Sequence, residues 1–520
     1  MGSRSSSRLA AHSAKRSHSQ MATDDVAGST RKRRCTGRSR MDARPELQRS
    51  RRPSCSSLAA SRGAKQGCLL GQPSQTLRPR TKGQRLGHGS PIALQGSSAV
   101  PQGGSRQLSG RKQSSLAASQ GERRFTLPSE LRSYMATWGP ELRRAIEAEA
   151  SRRGLGLPRT CLRVGTDCSG LDAPIFALRR VQLPHGIQHE FSCESSEKKR
   201  AFLEANHPGA LILKDMLQRD HAALPDVDIY VCGFPCKPFS RLHVGSKGFA
   251  ERAARPFREM VRTISTKLPP IAVLENVGGL RSHLARVHRV LRRIGWYEVL
   301  TVMIDPYEMG EPMRRQRFYF LLIRVDVAVA TGGALDEHAK ALMAVGLRSE
   351  RASPAQRMLA SSAPEVVEYI RRAQAKQQHK ASGPIAASQG QAKWKAQHRG
   401  RARQTLQRPV LGLTAREQEV LGIKLADAGF RDLTARTNVD TSQSCRFARC
   451  TEYVPTVTPG SRIVVGQLRR IAIPIEKCLL NAIPVHEVRW PACLTDQDIA
   501  DLGGNTMHLV AVDTTTRRAK

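Results

Sequence analysis

The stretch GFPCKPFS, residues 233–240, sets a cysteine among turn formers and aromatics, where its thiol could act as a nucleophile. Pro235 stiffens the backbone before Cys236, and the cationic neighbours Lys237 and Arg241 would favour a thiolate. A lone cysteine is more often a buried, inert side chain. Cys236 follows an apolar segment, however, and ligand sites lie where strands end, which favours the reactive interpretation.

A second ionisable residue, Glu275 in LENVGGL, follows the next apolar segment and is expected at the same edge of a sheet. A carboxyl group held beside a thiolate has a raised pKa and can donate a proton. The alternative, a carboxylate at a helix N-terminus, explains Glu275 alone but not the nearby cysteine. A thiolate and a protonatable acid facing one crevice are the components of covalent catalysis.

Two arginines in PMRRQRFYFLL complete this set of charged residues. Arg315 and Arg317 precede an apolar strand, and their i, i+2 spacing puts them on the same side of the backbone. One or both could enter the site. The alternative is surface charge at the edge of a strand.

The segment VGTDCSGLDAPIFAL, residues 164–178, has the form of a strand, a glycine turn and a helix start. Gly170 would let the backbone approach a ligand, although a plain strand-to-helix turn is the commoner meaning. Glu194, 24 residues further on, and Asp215 follow the next two strand patterns, where a carboxylate can bind a ribose or a base. Together they indicate a nucleoside cofactor without a phosphate cradle, with surface carboxylates as the alternative.

Helices and strands must position these candidate residues. The alternation of strand and helix patterns from residue 161 predicts an α/β domain with a parallel sheet. In SHLARVHRVLRRIGW, apolar residues fall on one helix face and Arg and His residues on the other. LTAREQEVLGI, residues 413–423, is interpreted as a packing helix rather than the opening of a helix-turn-helix. The predicted strands are residues 161–166, 189–193, 228–232, 271–275, 297–304 and 317–323.

The composition is that of a polyanion binder, with a formal net charge of +40 and a pI near 10.9. The 12 cysteines form no CxxC pair and no zinc-type spacing, which argues against a disulfide framework or structural zinc. No apolar run reaches the length of a membrane span, and no signal-peptide core opens the chain. We therefore expect a soluble intracellular protein.

The first 124 residues are rich in Ser, Arg, Gly and Gln without periodicity and predict a disordered basic arm. Within it TRKRRC, residues 30–35, could be a nuclear localisation signal or a solvated charge run. An organelle transit peptide and a myristoylation start at MGSRSS are weaker alternatives. The predicted location is the nucleus, with an organelle or the cytoplasm as alternatives.

The order of these motifs resembles that of the DNA (cytosine-5) methyltransferases. GFPCKPFS is similar to the family's Pro-Cys nucleophile loop, LENVGG to its Glu-Asn-Val acid motif and RRQRFYF to its Arg-x-Arg motif. TDCSGLDAP and CESSEKKRAFLEANHPG resemble the cofactor-binding turn and the acidic motif after it. YVPTVTP and LGGNTMHLVAV resemble the last two motifs. The resemblance covers residues 161–330 and, more loosely, 409–512.

The resemblance implies methyl transfer from S-adenosyl-L-methionine to C5 of a cytosine flipped out of DNA, with Cys236 attacking C6. Glu275 would protonate N3, and Arg317, supported by Arg315, would orient the cytosine carbonyl. The implied cofactor-binding residues are Asp167, Gly170, Leu171, Glu194 for the ribose, Asp215 for the adenine, Pro235 and Asn505.

The chain departs from the family pattern at four positions. Cys168 stands where a phenylalanine usually stacks near the adenine, and Asp172 replaces the second glycine of that turn. Lys237 replaces the glutamine after the catalytic cysteine, where it could contact a phosphate, and Met313 replaces another glutamine. None of these changes removes a group that does chemistry.

The implied fold is a Rossmann-like class I methyltransferase sheet with helices on both faces and a smaller, irregular target-recognition region. Alternative functions are a transfer-RNA cytosine-5 methyltransferase on the same scaffold and a catalytically weak chromatin-binding relative. DNA is the predicted partner, no membrane is expected, and no oligomeric state is predicted. The expected regions are the arm 1–124, a helical lead-in 125–160, the catalytic core 161–330, the target-recognition region 331–450 with a basic linker 349–408, and C-terminal motifs 451–520 that complete the catalytic domain.

Overall fold

The computed structural model describes the larger part of the chain from residue 122 onwards, all of it within the compact unit Arg106–Lys520. The predicted arm therefore lies outside the described residues except for its last three positions, and so does most of the predicted basic linker. No helix in the described part is long and apolar enough to cross a membrane. The described residues are 122–152, 154, 156, 159–240, 245, 247–330, 337, 359, 363–381, 399–401, 403–408, 410, 412–443 and 448–511.

A seven-stranded mixed sheet forms the centre of the molecule, in the order β4-β3-β2-β5-β6-β8-β7. Two small sheets accompany it, one pairing β1 with β12 and one of order β11-β10-β9. The strands are β1 (Glu122–Arg123), β2 (Leu162–Asp167), β3 (Ile187–Cys193), β4 (Leu211–Leu213), β5 (Ile229–Cys232), β6 (Ile271–Val277), β7 (Tyr297–Ile304), β8 (Arg317–Arg324), β9 (Val439–Asp440), β10 (Ile463–Val465), β11 (Arg470–Ile471) and β12 (Trp490–Pro491).

All six predicted strands are present, but the prediction of a parallel sheet is wrong for one of them, β8. Strands β2 to β6 pair in parallel, whereas β8 inserts antiparallel between β6 and β7. The cause is the connection between β7 and β8. It contains one 3-10 turn, Pro306–Met309, and no crossover helix, and without such a helix the chain returns antiparallel.

Helices cover both faces of this sheet, as predicted. Apolar residues of α2 and α3 pack with one set of strand side chains, and those of α4 and α5 pack with the alternate set. The helices are α1 (Ser129–Arg152), α2 (Ala173–Arg180), α3 (Glu197–Asn206), α4 (Arg255–Lys267), α5 (Leu284–Arg292), α6 (Val325–Ala330), α7 (Ala363–Ala381), α8 (Ala415–Asp427), α9 (Pro474–Leu479) and α10 (Asp496–Asn505).

The C-terminal part of the chain joins the same core. Val454, Val457 and residues of α9 and α10 belong to the apolar cluster that also contains the β2 and β8 side chains. The helix predicted over 413–423 corresponds to α8. It packs as expected, with Val420, Leu421 and Ile423 fully buried. This segment is therefore a structural element and leaves little surface for a groove-reading helix.

Candidate active site

The loop that carries Cys236 leaves the carboxyl end of β5 and is braced by the neighbouring strand. Asn276 of β6 donates its Nδ2 to the Phe234 carbonyl at 2.9 Å, just before Pro235. After Cys236 the chain forms the 3-10 turn Lys237–Phe239, in which the Phe239 amide donates to the Cys236 carbonyl at 2.9 Å. The loop therefore holds the half-buried Cys236 at a defined place beside the end of β6.

Glu275 and Arg317 form an ion pair at the same edge of the sheet. Arg317 Nε lies 3.0 Å from Glu275 Oε1, and both side chains are only 12% exposed. The pair follows from strand register, because Arg317 opposes Val277 and its side chain reaches diagonally to Glu275. The carboxyl group of Glu275 is thus fixed in orientation.

Gly233 brings the cysteine loop against this ion pair. A Cβ at Gly233 would lie 3.5 Å from Glu275 Oε2 and 2.8 Å from Met507 Cε. Any larger residue would displace the Met507 side chain. The loop bearing Cys236 therefore passes directly over the Glu275 carboxyl group, as the order of strands predicts.

Burial dominates the electrostatics of both ionisable groups. The pKa of Glu275 is raised by burial, and Arg317 and Arg315 oppose that rise. The raised pKa agrees with the prediction, although burial rather than a neighbouring thiolate is its main cause. The pKa of the Cys236 thiol is also raised, by burial first and by Glu275 second.

The expectation that Lys237 and Arg241 favour a thiolate stays a prediction. Lys237 is exposed, and Arg241 lies outside the described residues. The cations that lower the pKa of Cys236 are Arg317 and Arg315. The sequence did not reveal this because the two arginines lie about 80 residues further along the chain, at and just before the start of β8.

Arg315 ties the C-terminal motifs to the sheet. It is 3% exposed and donates to three carbonyls, those of Val457 at 2.8 Å, Gly504 at 3.3 Å and Thr506 at 2.6 Å. Of the two arginines, Arg317 therefore contacts Glu275, whereas Arg315 fixes the segments after YVP and LGG.

The predicted nucleoside-binding carboxylates lie at the ends of β3 and β4. Glu194 accepts the Gly170 amide at 3.0 Å and the Ser196 amide at 2.9 Å, so its carboxylate adjoins the glycine turn after β2. Asp215 is half-exposed and accepts the Leu217 amide at 2.9 Å. Both carboxylates keep lone pairs for further donors, and these acceptors fit the hydroxyl and amino groups of a nucleoside.

The remaining predicted cofactor residues have different surroundings. Asp167 is buried, and its carboxylate pairs with Arg219 and the Tyr230 hydroxyl, so it anchors the start of the turn after β2. Leu171 is fully buried, Pro235 is half-buried, and Asn505 is exposed at the end of α10. Asn505 donates to Asp501 at 2.9 Å.

The turn after β2 contains a buried polar cluster that sequence reasoning missed. Asp172 is fully buried and accepts the Ser192 hydroxyl at 2.5 Å, and its Oδ2 lies 3.5 Å from His189 Nε2 and 3.8 Å from His207 Nε2. Burial raises the pKa of Asp172 and lowers that of His207 to about 2. The three residues come from different elements, and the only signal in the sequence was the unusual Asp172 itself.

Two of the departures from the family pattern share one backbone conformation. Cys168 has a φ of 53° and Asp172 a φ of 63°, and Gly170 between them has a φ of 56°. This left-handed region is costly for most side chains, although aspartate tolerates it better than most. The turn therefore keeps a glycine-like shape at two positions without glycine.

A second residue of the acid motif also acts structurally. Asn276, the residue after Glu275 in LENVGG, braces the cysteine loop. Its signal was its alternation with Glu275, which turns the two side chains to opposite faces of β6.

Comparison with known proteins gives one family. The profile of the C-5 cytosine-specific DNA methylase family matches residues 168–452. The type II methyltransferase M.NlaX of Neisseria lactamica is 35% identical over 136 residues, which is 25% of this chain and 43% of that protein. The DNA (cytosine-5-)-methyltransferase DMT5 of Cryptococcus neoformans is 30% identical over 184 residues, 30% of this chain and 7% of that protein. The chain thus spans less than half the length of these curated relatives.

A solved structure of the methyltransferase EhMeth of Entamoeba histolytica also aligns with the chain. It covers 69% of this chain and 98% of its own, at 12% identity and a TM-score of 0.42.

Proposed function

The chain belongs to the C-5 cytosine-specific DNA methylase family, and from that premise we propose that it methylates C5 of cytosine in DNA through a covalent bond between Cys236 and C6. The observation that carries the proposal is the convergence of Cys236, Glu275 and Arg317 at one sheet edge. Glu275 and Arg317 pair at 3.0 Å, and a Cβ placed on Gly233, three residues before Cys236, would lie 3.5 Å from Glu275 Oε2.

We propose that S-adenosyl-L-methionine is the methyl donor and that it supplies an electrophilic methyl group on a sulfonium. Glu194 and Asp215 would hold its ribose and adenine, because they present carboxylate acceptors at the ends of β3 and β4, on one side of the glycine turn. Asp167, Gly170 and Leu171 would shape that turn, Pro235 would form a wall of the pocket, and Asn505 would close it. The crevice at the carboxyl ends of β2 to β5 is where parallel sheets bind such ligands.

In this mechanism Cys236 gives up its proton to water and its sulfur adds to C6 of the flipped cytosine, while Glu275 donates a proton to N3. Addition at C6 with protonation at N3 makes C5 a nucleophilic enamine carbon, which would take the methyl group from the sulfonium and leave a neutral thioether. Loss of the C5 proton to water, return of the N3 proton to Glu275 and departure of the Cys236 sulfur then restore the ring.

The raised pKa of Glu275 supports its role as a proton donor, because the acid form persists at pH values where a free glutamate is ionised. Arg317 keeps the Glu275 carboxyl group oriented and faces the pyrimidine carbonyl. Arg315 supports Glu275 and Arg317 indirectly, because it donates hydrogen bonds to the carbonyls of the C-terminal motifs.

We further propose that residues 451–520 complete the catalytic domain and that 331–450 form the target-recognition region. The contacts of Arg315 with Val457 and Thr506 support the first assignment. The formal charge of +40 supports DNA as the partner. We propose a nuclear location from the TRKRRC segment, to be tested by replacing residues 30–35 in a fluorescent fusion.

Labelled-methyl transfer to duplex DNA and to transfer RNA tests the function, with Cys236→Ala beside the wild type. We expect transfer to DNA and a loss of about 10³-fold or more in the variant, because the nucleophile is removed. Transfer to RNA alone would exclude the DNA substrate. No transfer to either would favour a non-catalytic binder.

Trapping gives a second test of the covalent step. Duplex DNA with 5-fluorocytosine at the target position should form a stable adduct with the wild-type protein, because the fluorine cannot leave C5. The Cys236→Ala variant should form none. An adduct in that variant would assign the bond to another residue.

A further inference from the structure

The segment from Arg281 to Arg293 carries an unusual density of positive charge. It comprises the end of a 3-10 turn, helix α5 and one following residue, and no acidic residue occurs between Glu275 and Glu298. The buried face of α5 consists of Val287 and Leu291, so the polar face is turned outward. We call its five arginines the arginine track: Arg281, Arg286, Arg289, Arg292 and Arg293.

None of the five arginines forms an ion pair within the described part of the chain, whereas some arginines of other helices do. On α7, Arg371 and Arg372 pair with Glu368, and on α4, Arg262 pairs with Glu259. The nearest acidic residue downstream, Glu298 on β7, is exposed and makes no ion pair with the track. The charge of the track is therefore available to an external anion.

The arginine track lies next to the cysteine loop at Arg286. Phe239, three residues after Cys236, packs on Phe249 with ring centroids 4.8 Å apart. The Arg286 guanidinium lies 4.7 Å from the centroid of Phe249. One ring-on-ring contact and one cation–π contact thus connect the loop of the nucleophile to the track.

From Arg286 the arginine track continues along the exposed face of α5 towards the C-terminus of the helix. Arg286, Arg289 and Arg293 recur at about one helical turn each, a rise of about 5 Å, so Arg293 lies about 10 Å beyond Arg286. Arg289, Arg292 and Arg293 line a surface depression with Ala285 and His288. Trp296, which is 58% exposed, follows directly and offers an apolar surface to a sugar or base.

We propose that the arginine track is a second DNA-binding surface, which holds phosphates of the duplex outside the crevice that receives the target cytosine. This inference rests on the proposed function. A duplex whose base enters the crevice continues past the cysteine loop, and the track begins there. Arginine at successive helical turns suits a series of phosphates better than a single anion.

The test compares duplexes of about 12 and about 30 base pairs, roughly one and three helical turns, around the same central sequence. The full-length protein carries Arg289→Gln, Arg292→Gln and Arg293→Gln together. A control carries Arg132→Gln, Arg144→Gln and Arg159→Gln, which removes the same charge from exposed arginines at α1 and before β2. A third variant replaces the track arginines by lysine.

For the glutamine variant we expect about tenfold weaker binding of the long duplex near physiological salt, with binding of the short duplex and kcat unchanged. The slope of log K against log salt should fall by about 2 to 3, at about 0.9 for each lost phosphate contact. The lysine variant should retain most of the affinity for the long duplex, because lysine keeps the positive charge of each arginine that it replaces. The control should match the wild type.

Equal weakening on both duplexes, or an equal effect in the control, would overturn the proposal. Unchanged DNA binding together with lost binding of poly-glutamate would also overturn it and assign the track to an acidic protein. Wild-type methyl transfer on the same duplexes is scored separately. Absence of methyl transfer by the wild type would contradict the proposed function. Methyl transfer by the wild type, together with unchanged binding of the long duplex by the glutamine variant, would contradict only the arginine-track proposal.

Discussion

Two regions of this molecule contain a buried carboxyl group with a raised pKa, and they differ in every other respect. At the ends of β6 and β8, Glu275 faces an arginine at 3.0 Å and the backbone of the cysteine loop. In the turn after β2, Asp172 has no exposed surface and faces Ser192 and two imidazoles. The first region matches the family pattern at Cys236, Glu275 and Arg317, and the second departs from it at Cys168 and Asp172.

The difference shows which features of a site depend on side chains and which on backbone shape. In the proposed mechanism Cys236, Glu275 and Arg317 each present a particular chemical group to the cytosine ring, so their residue types are decisive. The turn after β2 is defined instead by its left-handed backbone, which Cys168 and Asp172 adopt at φ 53° and 63°. Substitutions in the two regions should therefore fail in different ways.

The largest effect is expected from Glu275→Gln, which keeps the shape of the side chain and removes its proton. The rate of methyl transfer should fall by about 10² to 10⁴-fold. In the wild type the acid form of Glu275 is lost as pH rises through its raised folded pKa, so the rate declines on the alkaline side. The variant should lack that decline.

This prediction is checked by kcat between pH 5 and 10, with Glu298→Gln, an exposed glutamate of β7, as the control. A variant with a normal rate and an unchanged pH profile would show that the proton comes from elsewhere.

The two arginines of the Arg-x-Arg motif should separate stability from activity. Arg315→Met leaves three buried carbonyls without their donor and should lower the free energy of unfolding by about 3 kcal/mol. Arg317→Met should lower stability less. It removes the cation that lowers the pKa of Glu275, so it should move the alkaline decline in rate to higher pH.

Urea unfolding and the pH–rate profile of both variants measure these effects. If Arg317→Met destabilises as much as Arg315→Met, the two arginines share a structural role and the separation fails.

Much of the catalytic region could be predicted because its determinants are local. The strands are apolar runs bounded by turns, and β7 has the predicted bounds 297–304. Cys236 and Glu275 lie at one edge because neighbouring parallel strands end together. The antiparallel place of β8 could have been inferred from the missing helix between 304 and 317.

The cofactor turn and the partners of Arg315 could not be predicted in this way. Arg315 meets Val457 and Thr506 across 142 and 191 residues of chain, and an i, i+2 rule says nothing about such contacts. Asp172, His189 and His207 meet only because α2, β3 and the end of α3 converge. Non-local packing set both arrangements.

A smaller effect is expected from Asp172→Asn, which keeps the acceptor for Ser192 and tolerates a left-handed φ. Because burial raises the folded pKa of Asp172, the native state binds a proton more tightly than the unfolded state, so stability falls as pH rises above the unfolded value. The variant lacks this loss. Its free energy of unfolding should exceed that of the wild type by about 1 kcal/mol at pH 8, and the gain should vanish towards pH 4.

Thermal unfolding across that range, with the exposed Asp220→Asn as the matched change, measures the difference. Equal stability of variant and wild type at pH 8 would mean that the two imidazoles and Ser192 fully offset the buried charge.

The smallest effect, and the most direct test of the comparison, is expected from Cys168→Phe. The half-buried Cys168 thiol lies 3.7 Å from Met216 Sδ, at the end of the strand that leads into the proposed cofactor crevice. An aromatic ring there should improve S-adenosylmethionine binding about threefold to tenfold through stacking on the adenine. Calorimetric titration measures the affinity, and Cys161→Phe at the exposed start of β2 controls for added apolar surface.

The sign of this change decides what the turn after β2 depends on. Tighter binding would mean that backbone shape is already correct and only the stacking surface is missing, which is the distinction drawn between the two regions. Weaker binding than in the control would mean that a bulky side chain at φ 53° deforms the turn. In that case the small side chain of Cys168 is required for the shape of the turn. The turn after β2 would then tolerate substitution as poorly as the region of Cys236 and Glu275.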